Sequence, residues 1–335
     1  MGKKEFLNFE IEPNSKTAPT SYKIVVNPDD ACDIIRSVYE IQKVALFEQK
    51  FEKAVDGNGD ERKKILTLHS SSRLALLTFY NVDDDHVLTL NIEDKDIDFN
   101  LSTFEFKNPV IGYPSNMDVV LVSTDRKTVL FLESKFSEYY MSVAVSGAPI
   151  SVQYAMNEYS KFFYEKDWLE SVGIGTTYES DDKAQKEFSL FTLDESVNYL
   201  DGFKQMISHY VGIRRRIKER RHIASDLKPK NKEISDIILE AVENLESKVY
   251  LGEILFDKFY RPVGCETELD PEIVFKNYTR LYSQLADKMN EINNDIDGLG
   301  QKFVVLKKDL RYSEVMRQHQ YLEPMTMHFY GEAGK

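Results

Sequence analysis

Two short apolar runs each carry a charged group where chemistry could use one. Pro114-Ser-Asn-Met-Asp118-Val-Val-Leu-Val122 sets an aspartate at the head of a β-branched run, and Thr128-Val-Leu-Phe-Leu-Glu133-Ser-Lys135-Phe136 closes the next run on Glu-x-Lys. Side chains alternate along a strand, so Glu133 and Lys135 point to one side and Ser134 to the other. Thr124-Asp125-Arg126-Lys127 lies between the runs and reads as a hairpin turn, which makes them antiparallel neighbours. Counting outward from that turn puts Asp118 opposite residue 133 or 134. Two carboxylates so placed can hold Mg²⁺ (or Mn²⁺), which takes oxygen ligands and keeps several waters. Such an ion lowers the pKa of a bound water and offsets charge on a phosphate. A lysine beside it can orient the water or stabilise the transition state. The chemistry is hydrolysis of a phosphodiester.

The triplet alone says little, because Glu48-Gln-Lys50, Glu61-Arg-Lys63, Glu105-Phe-Lys107 and Glu246-Ser-Lys248 repeat it. Glu133 differs in its apolar lead-in, Val129-Leu-Phe-Leu132, and in the acid offered across the hairpin. Burying such groups is costly unless they have a use. The competing reading is a strand end whose charges reach solvent beyond an apolar core.

In these residues the chain resembles the PD-(D/E)XK nuclease superfamily, whose signature is an Asp at a strand start followed by Glu/Asp-x-Lys on the next strand. The resemblance covers about residues 70–256 and implies a restriction endonuclease-like αβββαβ core. It implies Asp118 and Glu133 as metal ligands and Lys135 as the catalytic lysine. Pro114 departs from the pattern, standing four residues before Asp118 rather than directly before it. RecB-type members carry Gln-x-x-x-Tyr on the helix after the catalytic strands; here the helical segment has Gln205-x-x-x-His209, with Tyr210 one step on. Gln205 is therefore a catalytic candidate and His209 shares its helical face, while Gln153 competes for the glutamine role. An ordinary polar stripe explains the same residues. Ser71, at the start of the helix ahead of the strands, is a further site candidate or simply part of a cap. The superfamily sometimes adds a third acid from its first helix, for which Glu40, Glu48 and Glu52 are open choices.

The same segment continues Ile213-Arg-Arg-Arg-Ile-Lys218-Glu-Arg-Arg221, the densest positive stretch of the chain. Arg214, Lys218 and Arg221 lie at steps of four and three and form one stripe, with Arg215 beside it. That stripe, like Arg215, is expected to track the backbone of DNA, or of RNA. Its alternative is a solvated charged face.

The elements that must position these residues are legible in outline. Apolar steps of three and four from Ala31 to about Val55 predict an amphipathic helix after the capping Asn27-Pro-Asp-Asp30, and Ser70 to Tyr80 predicts a second. Residues 1–28 read as polar and rich in Pro, Ser and Thr. Alternating β-branched and aromatic runs predict strands at 86–92, 99–107, 117–124 and 128–136. Residues 150–169 look helical, 173–193 irregular, and 195–225 and 232–246 helical. A strand is predicted at 248–256, and 270–320 is mostly helical with a short strand at 302–307. The fold class is a mixed α/β sheet with extra helices at both ends. In domain language this is an N-terminal helical extension over 1–69, a nuclease-like core over 70–260 with an insertion at about 137–194, and a helical C-terminal extension over 261–335.

Composition sets the outer bounds. A chain of 335 residues, 42% hydrophobic and 30% charged, can bury a real core. Its two cysteines, Cys32 and Cys265, form no metal-ligand pattern, and a reducing cytoplasm is expected. No run approaches the roughly 18 apolar residues that cross a bilayer, so no membrane association is expected. A net charge of −13 argues against a surface that is basic throughout but leaves room for a local basic groove. Asp56-Gly-Asn-Gly-Asp60 begins like a calcium loop but has Glu61 where the glycine belongs. Gly173-Ile-Gly175 lacks a third glycine, so no dinucleotide site is expected. The expected protein is a metal-dependent nuclease acting on DNA, with a homodimer compatible. The alternative is a catalytically silent member of the fold that binds nucleic acid or a protein partner.

Overall fold

The computed structural model of the chain describes residues 11–13, 22–24, 26–56, 61–67, 70–110, 114–136, 148–151, 174–180, 186–192, 200–220, 229–244, 246–257, 270–294 and 299–318. Its centre is a seven-stranded mixed sheet. Strands β3 (Leu88–Ile92), β4 (Lys95–Asn108), β5 (Ser115–Ser123) and β6 (Thr128–Lys135) form an antiparallel meander. Strand β10 (Lys248–Leu255) then pairs parallel with β6, and β11 (Phe303–Val305) and β12 (Leu310–Arg311) pair parallel with β10. A parallel pair needs a long crossover. This one carries β7 (Ala148–Ser151), β8 (Ile174–Ser180) and β9 (Lys186–Thr192), followed by helices α5 (Leu200–Glu219) and α6 (Pro229–Glu243).

Helices cover both faces. On one face α5, α6 and α7 (Pro271–Asn294) bury Tyr210, Ile238 and Leu285 against Val120, Phe131 and Leu251. On the other, α1 (Ala31–Val38), α2 (Val44–Ala54), α4 (Ser71–Phe79) and α8 (Tyr312–Gln318) bury Ile35, Phe51, Leu76 and Val315 against Val119, Leu121 and Leu132. The short α3 (Glu61–Lys64) sits between α2 and α4 in sequence. Alternate residues of β5 and β6 feed the two layers, the arrangement expected of strands buried on both sides. The architecture is therefore mixed α/β, with the terminal helices packed into the same core as the sheet. No described helix is long and apolar enough to cross a membrane.

Several expectations are refined. The helix read over 31–55 is two, because Glu40 takes a left-handed φ of 49° and Ile41 N–H bonds Arg36 C=O at 3.0 Å, the Schellman stop that ends α1. Apolar spacing ran through the break and concealed it. Residues 11–13 and 22–24, within the stretch read as polar, pair as the antiparallel strands β1 (Ile11–Pro13) and β2 (Tyr22–Ile24). Residues 174–192, read as irregular, hold the antiparallel pair β8 and β9. The helix read at 150–169 lies almost wholly outside the described residues, and its first two residues belong to β7.

Candidate active site

The hairpin joining β5 to β6 forms as its turn residues require. Arg126 takes φ 60°, and Asp125 Oδ1 accepts bonds from Ser123 Oγ at 2.6 Å and Lys127 N–H at 2.9 Å. The register runs Val122↔Val129 through Val119↔Leu132, and one further step sets Asp118 opposite Glu133. Asp118 Oδ2 accepts the backbone N–H of Ser134 at 2.8 Å, which ties it to β6 at that point. Glu133 and Lys135 lie on the α5 side of the sheet. Ser134, between them, turns to the other layer and meets Tyr312 Oη at 2.7 Å and Ser71 C=O at 3.1 Å.

Helix α5 supplies the facing residues. Lys135 Nζ donates to Glu133 Oε1 at 2.7 Å and also to Gln205 Oε1, and His209 Nε2 lies 2.9 Å from Glu133 Oε2. One turn of helix separates Gln205 from His209, so the two contact the Glu-x-Lys pair together. Ser71 enters from the start of α4, where the Ser70 hydroxyl accepts Arg73 N–H at 3.1 Å as a helix cap. Asp118, Glu133, Lys135, Gln205, His209 and Ser71 thus line one cleft of about 340 Å³ at the end of the sheet where β5 begins and β6 finishes. Glu133, Lys135 and His209 are 2%, 4% and 4% exposed, so the reactive groups lie at the floor. A larger cavity of about 490 Å³, between the β3–β4 turn and residues 306–315, contains none of them.

Two acids in the cleft were not singled out from sequence. Glu105 on β4 falls opposite Asp118, between the pairs Phe104↔Val119 and Phe106↔Met117. Its φ is 48°, and the ribbon changes faces there: Phe104 and Val119 pack in one layer, Phe106 and Met117 in the other. Glu61, in the first turn of α3, is the acid that the N-terminal helices deliver. Glu40, Glu48 and Glu52 do not line the cleft, and the last two bond Arg36 and Arg62 instead. The sequence held one faint signal for Glu105, an acid at the strand level matching Asp118, but that level could not be fixed without the β4–β5 register. Behind the site, Glu253 of β10 is in register with Glu133, fully buried, and accepts Tyr278 Oη on both oxygens at 2.8 and 3.0 Å.

The electrostatics divide these acids. Burial alone would raise the Glu133 carboxyl, but the Lys135 ammonium and His209 outweigh it and hold Glu133 down at about 2. Asp118 is driven well above the usual carboxylate range by burial, then by the charges of Glu133 and Glu105. Glu105 is raised to about 8 by burial, then by Glu61 and Glu133. Glu253 is likewise raised to about 8, chiefly by burial, with Lys135 pulling the other way. Like charges crowded in a desolvated cleft gain most from an added cation. The donor set of Asp118 and Glu133 therefore fits Mg²⁺ or Mn²⁺ with water completing the shell. Among the described residues, no three His, Cys, Asp or Glu side chains surround a single point as a finished cage.

The described members of the basic stripe do not share one surface. Arg214 is fully buried beside Tyr210, and Arg216 is 1% exposed, donating to Asn108 Oδ1 at 2.9 Å and Lys107 C=O at 2.6 Å. Arg215 is half-buried and bonds Glu219 and, at 3.4 Å, Val110 C=O. Only Lys218 of this set is exposed, while Arg221, like Gln153, lies outside the described residues. Steps of three and four locate a stripe but not its direction. Here α5 is covered by the sheet and by α7, so the expected DNA-facing position of Arg214 is corrected to an interior one.

No family model, no curated protein and no solved structure matches the chain.

Proposed function

We propose that the protein is a divalent-metal-dependent nuclease of the restriction endonuclease-like kind, hydrolysing phosphodiester bonds in DNA. The observation that carries this reading is the register of the hairpin, which brings Asp118 opposite Glu133 in a cleft floored by Lys135. Asp118 and Glu133 would hold the Mg²⁺ or Mn²⁺ ion, whose chemistry when bound is activation of water and neutralisation of phosphate charge. Lys135 presents its ammonium to the attacking water or to a phosphate oxygen, and Gln205 fixes the direction of that ammonium. His209 holds the second oxygen of Glu133 and so sets the carboxylate plane. The order of helix α4, the antiparallel strands β3 to β6, the crossover helices and parallel β10 supports an αβββαβ core to which β3 adds an edge strand.

The test is incubation of the purified protein with plasmid and linear DNA, in Mg²⁺ and in Mn²⁺. Cleavage should occur and should vanish in Asp118→Asn, Glu133→Gln and Lys135→Ala. A second reading, a catalytically silent member of the fold, is favoured by one observation: both oxygens of Glu133 are already engaged, by Lys135 and His209. That reading requires DNA or protein-partner binding that survives all three substitutions, with no cleavage in any metal.

A further inference from the structure

We infer that the substrate of this cleft is an unpaired nucleic-acid strand, gripped by its sugar-phosphate backbone and without regard to base identity. The inference rests on the nuclease reading for which atoms the strand must reach, and on three features of the cleft for what can reach them.

The first is depth. A scissile phosphate has to approach a metal ion held within about 2.1 Å of the Asp118 and Glu133 oxygens. Glu133 and Lys135 are almost wholly enclosed, and the cleft above them measures about 340 Å³. That is the low end of the range, about 300–1,000 Å³, that encloses one small organic molecule. The volume accommodates roughly a nucleotide. A duplex presents its phosphates on the outside of a stiff rod, and bending or unstacking it costs several kcal/mol. An unpaired strand has neither constraint and can lead one phosphate to the floor.

The second is charge. Duplex readers neutralise many phosphates with lysines and arginines along a track. Here the cleft carries four carboxylates, Glu61, Glu105, Asp118 and Glu133, against two lysines, Lys64 and Lys135. Of the arginines on α5, Arg214 and Arg216 are inside the protein and Arg215 is half-buried and bonded to Glu219. Affinity must come from short-range contacts to one or two backbone units rather than from a long electrostatic path.

The third is lining. Every described residue around the cleft is polar, and the one ring among them, the His209 imidazole, is 4% exposed and held against Glu133. Three of its polar atoms are buried and have no hydrogen-bond partner among the described residues: Ser115 Oγ, Asn116 Oδ1 and His209 Nδ1. Ser115 is 6% exposed and lines the cleft. The Ser115 hydroxyl left open in this way can donate to a phosphate oxygen, a group that is the same on every nucleotide, and the Asn116 amide oxygen can accept from water or from the terminal hydroxyl of a strand.

The experiment compares labelled DNA of one sequence as a single strand and as a blunt duplex. Binding is followed by fluorescence anisotropy with Ca²⁺ replacing Mg²⁺, and cleavage with Mg²⁺ on the strand and on a covalently closed duplex circle. The strand should bind at least about tenfold more tightly than the duplex, a difference of about 1.4 kcal/mol. It should be cut while the closed circle stays intact. The Ser115→Ala, Asn116→Ala double variant should lose several-fold in strand affinity with an unchanged melting temperature. Equal binding of the two forms, nicking of the closed circle as fast as the strand is cut, or no binding of the strand overturns the inference. Equal cleavage of both forms would still leave the nuclease reading standing. Strand preference without cleavage in any metal would instead remove the nuclease reading and keep this one.

Discussion

Two regions of this protein bury charge, and they do it in opposite ways. On α5 and its neighbours, Arg216 donates to several acceptors, among them Asn108 Oδ1, Lys107 C=O and Ser235 Oγ. At the end of β5 and β6, Asp118 is surrounded by other acids and receives one backbone N–H. The donors of the arginine meet acceptors. The aspartate is held in conflict, and Glu133 escapes the same conflict only because Lys135 and His209 attend it. Burial alone therefore does not mark a site. What marks it is burial among groups that oppose the charge, since such an arrangement persists only with a compensating use.

The comparison can be broken most sharply by activity. Glu133→Gln and Lys135→Ala are expected to lower cleavage at least about a thousandfold, as loss of preorganised charge does. Asp118→Asn should do the same while raising the melting temperature, because it removes one of the opposed charges. A fall in stability in Asp118→Asn would erase the contrast drawn here. Arg216→Ala should behave in reverse. It strands the amide of Asn108 and the carbonyl of Lys107, and denaturant unfolding should show a loss of about 2–4 kcal/mol.

A finer version concerns pH. The Glu253 carboxyl, raised from 4.5 to about 8, keeps its proton in the fold over a range where the unfolded chain releases it. The folded state then binds more protons, so stability falls as pH rises through that window, by up to roughly 1.4 kcal/mol for each pH unit. Glu253→Gln should flatten that decline in unfolding curves taken from about pH 5 to about pH 8. Glu133 works oppositely: held at about 2, its contribution is present above its ordinary value of 4.5 and lost as pH falls through about 2. A Glu253→Gln protein with the wild-type slope would show that this acid does not drive the decline.

Smaller effects test the packing that holds the two regions together. A Cβ at Gly212 would stand 2.8 Å from both Asn108 Cβ and Ser115 Oγ, so Gly212→Ala should cost about 1–3 kcal/mol by overpacking. The smallest effect is expected at Lys218, which faces solvent: Lys218→Ala should change stability by no more than about 0.5 kcal/mol.

The β5–β6 hairpin was legible because both of its signals are local. Turn residues fix where the chain reverses, and period-two alternation fixes which side chains share a face. Together they put Asp118 opposite residue 133 or 134 with no knowledge of the rest of the molecule, and the register settles on Glu133. Gln205 and His209 were legible as a pair for the same reason, four residues apart on one helix.

What the sequence left undetermined depends on neighbours far along the chain. The direction of the arginine stripe was decided by α7, which covers α5 from more than fifty residues downstream. Glu105 joined the cleft only through the β4–β5 register and a left-handed residue that turned the ribbon over. Glu61 was chosen over Glu40, Glu48 and Glu52 by how short helices pack, and Glu253 met Glu133 only across a parallel pair with a long crossover. Local geometry determined the hairpin and its acids. Tertiary packing decided which charges face the cleft and which are sealed inside, because facing is a relation between elements and not a property of either one.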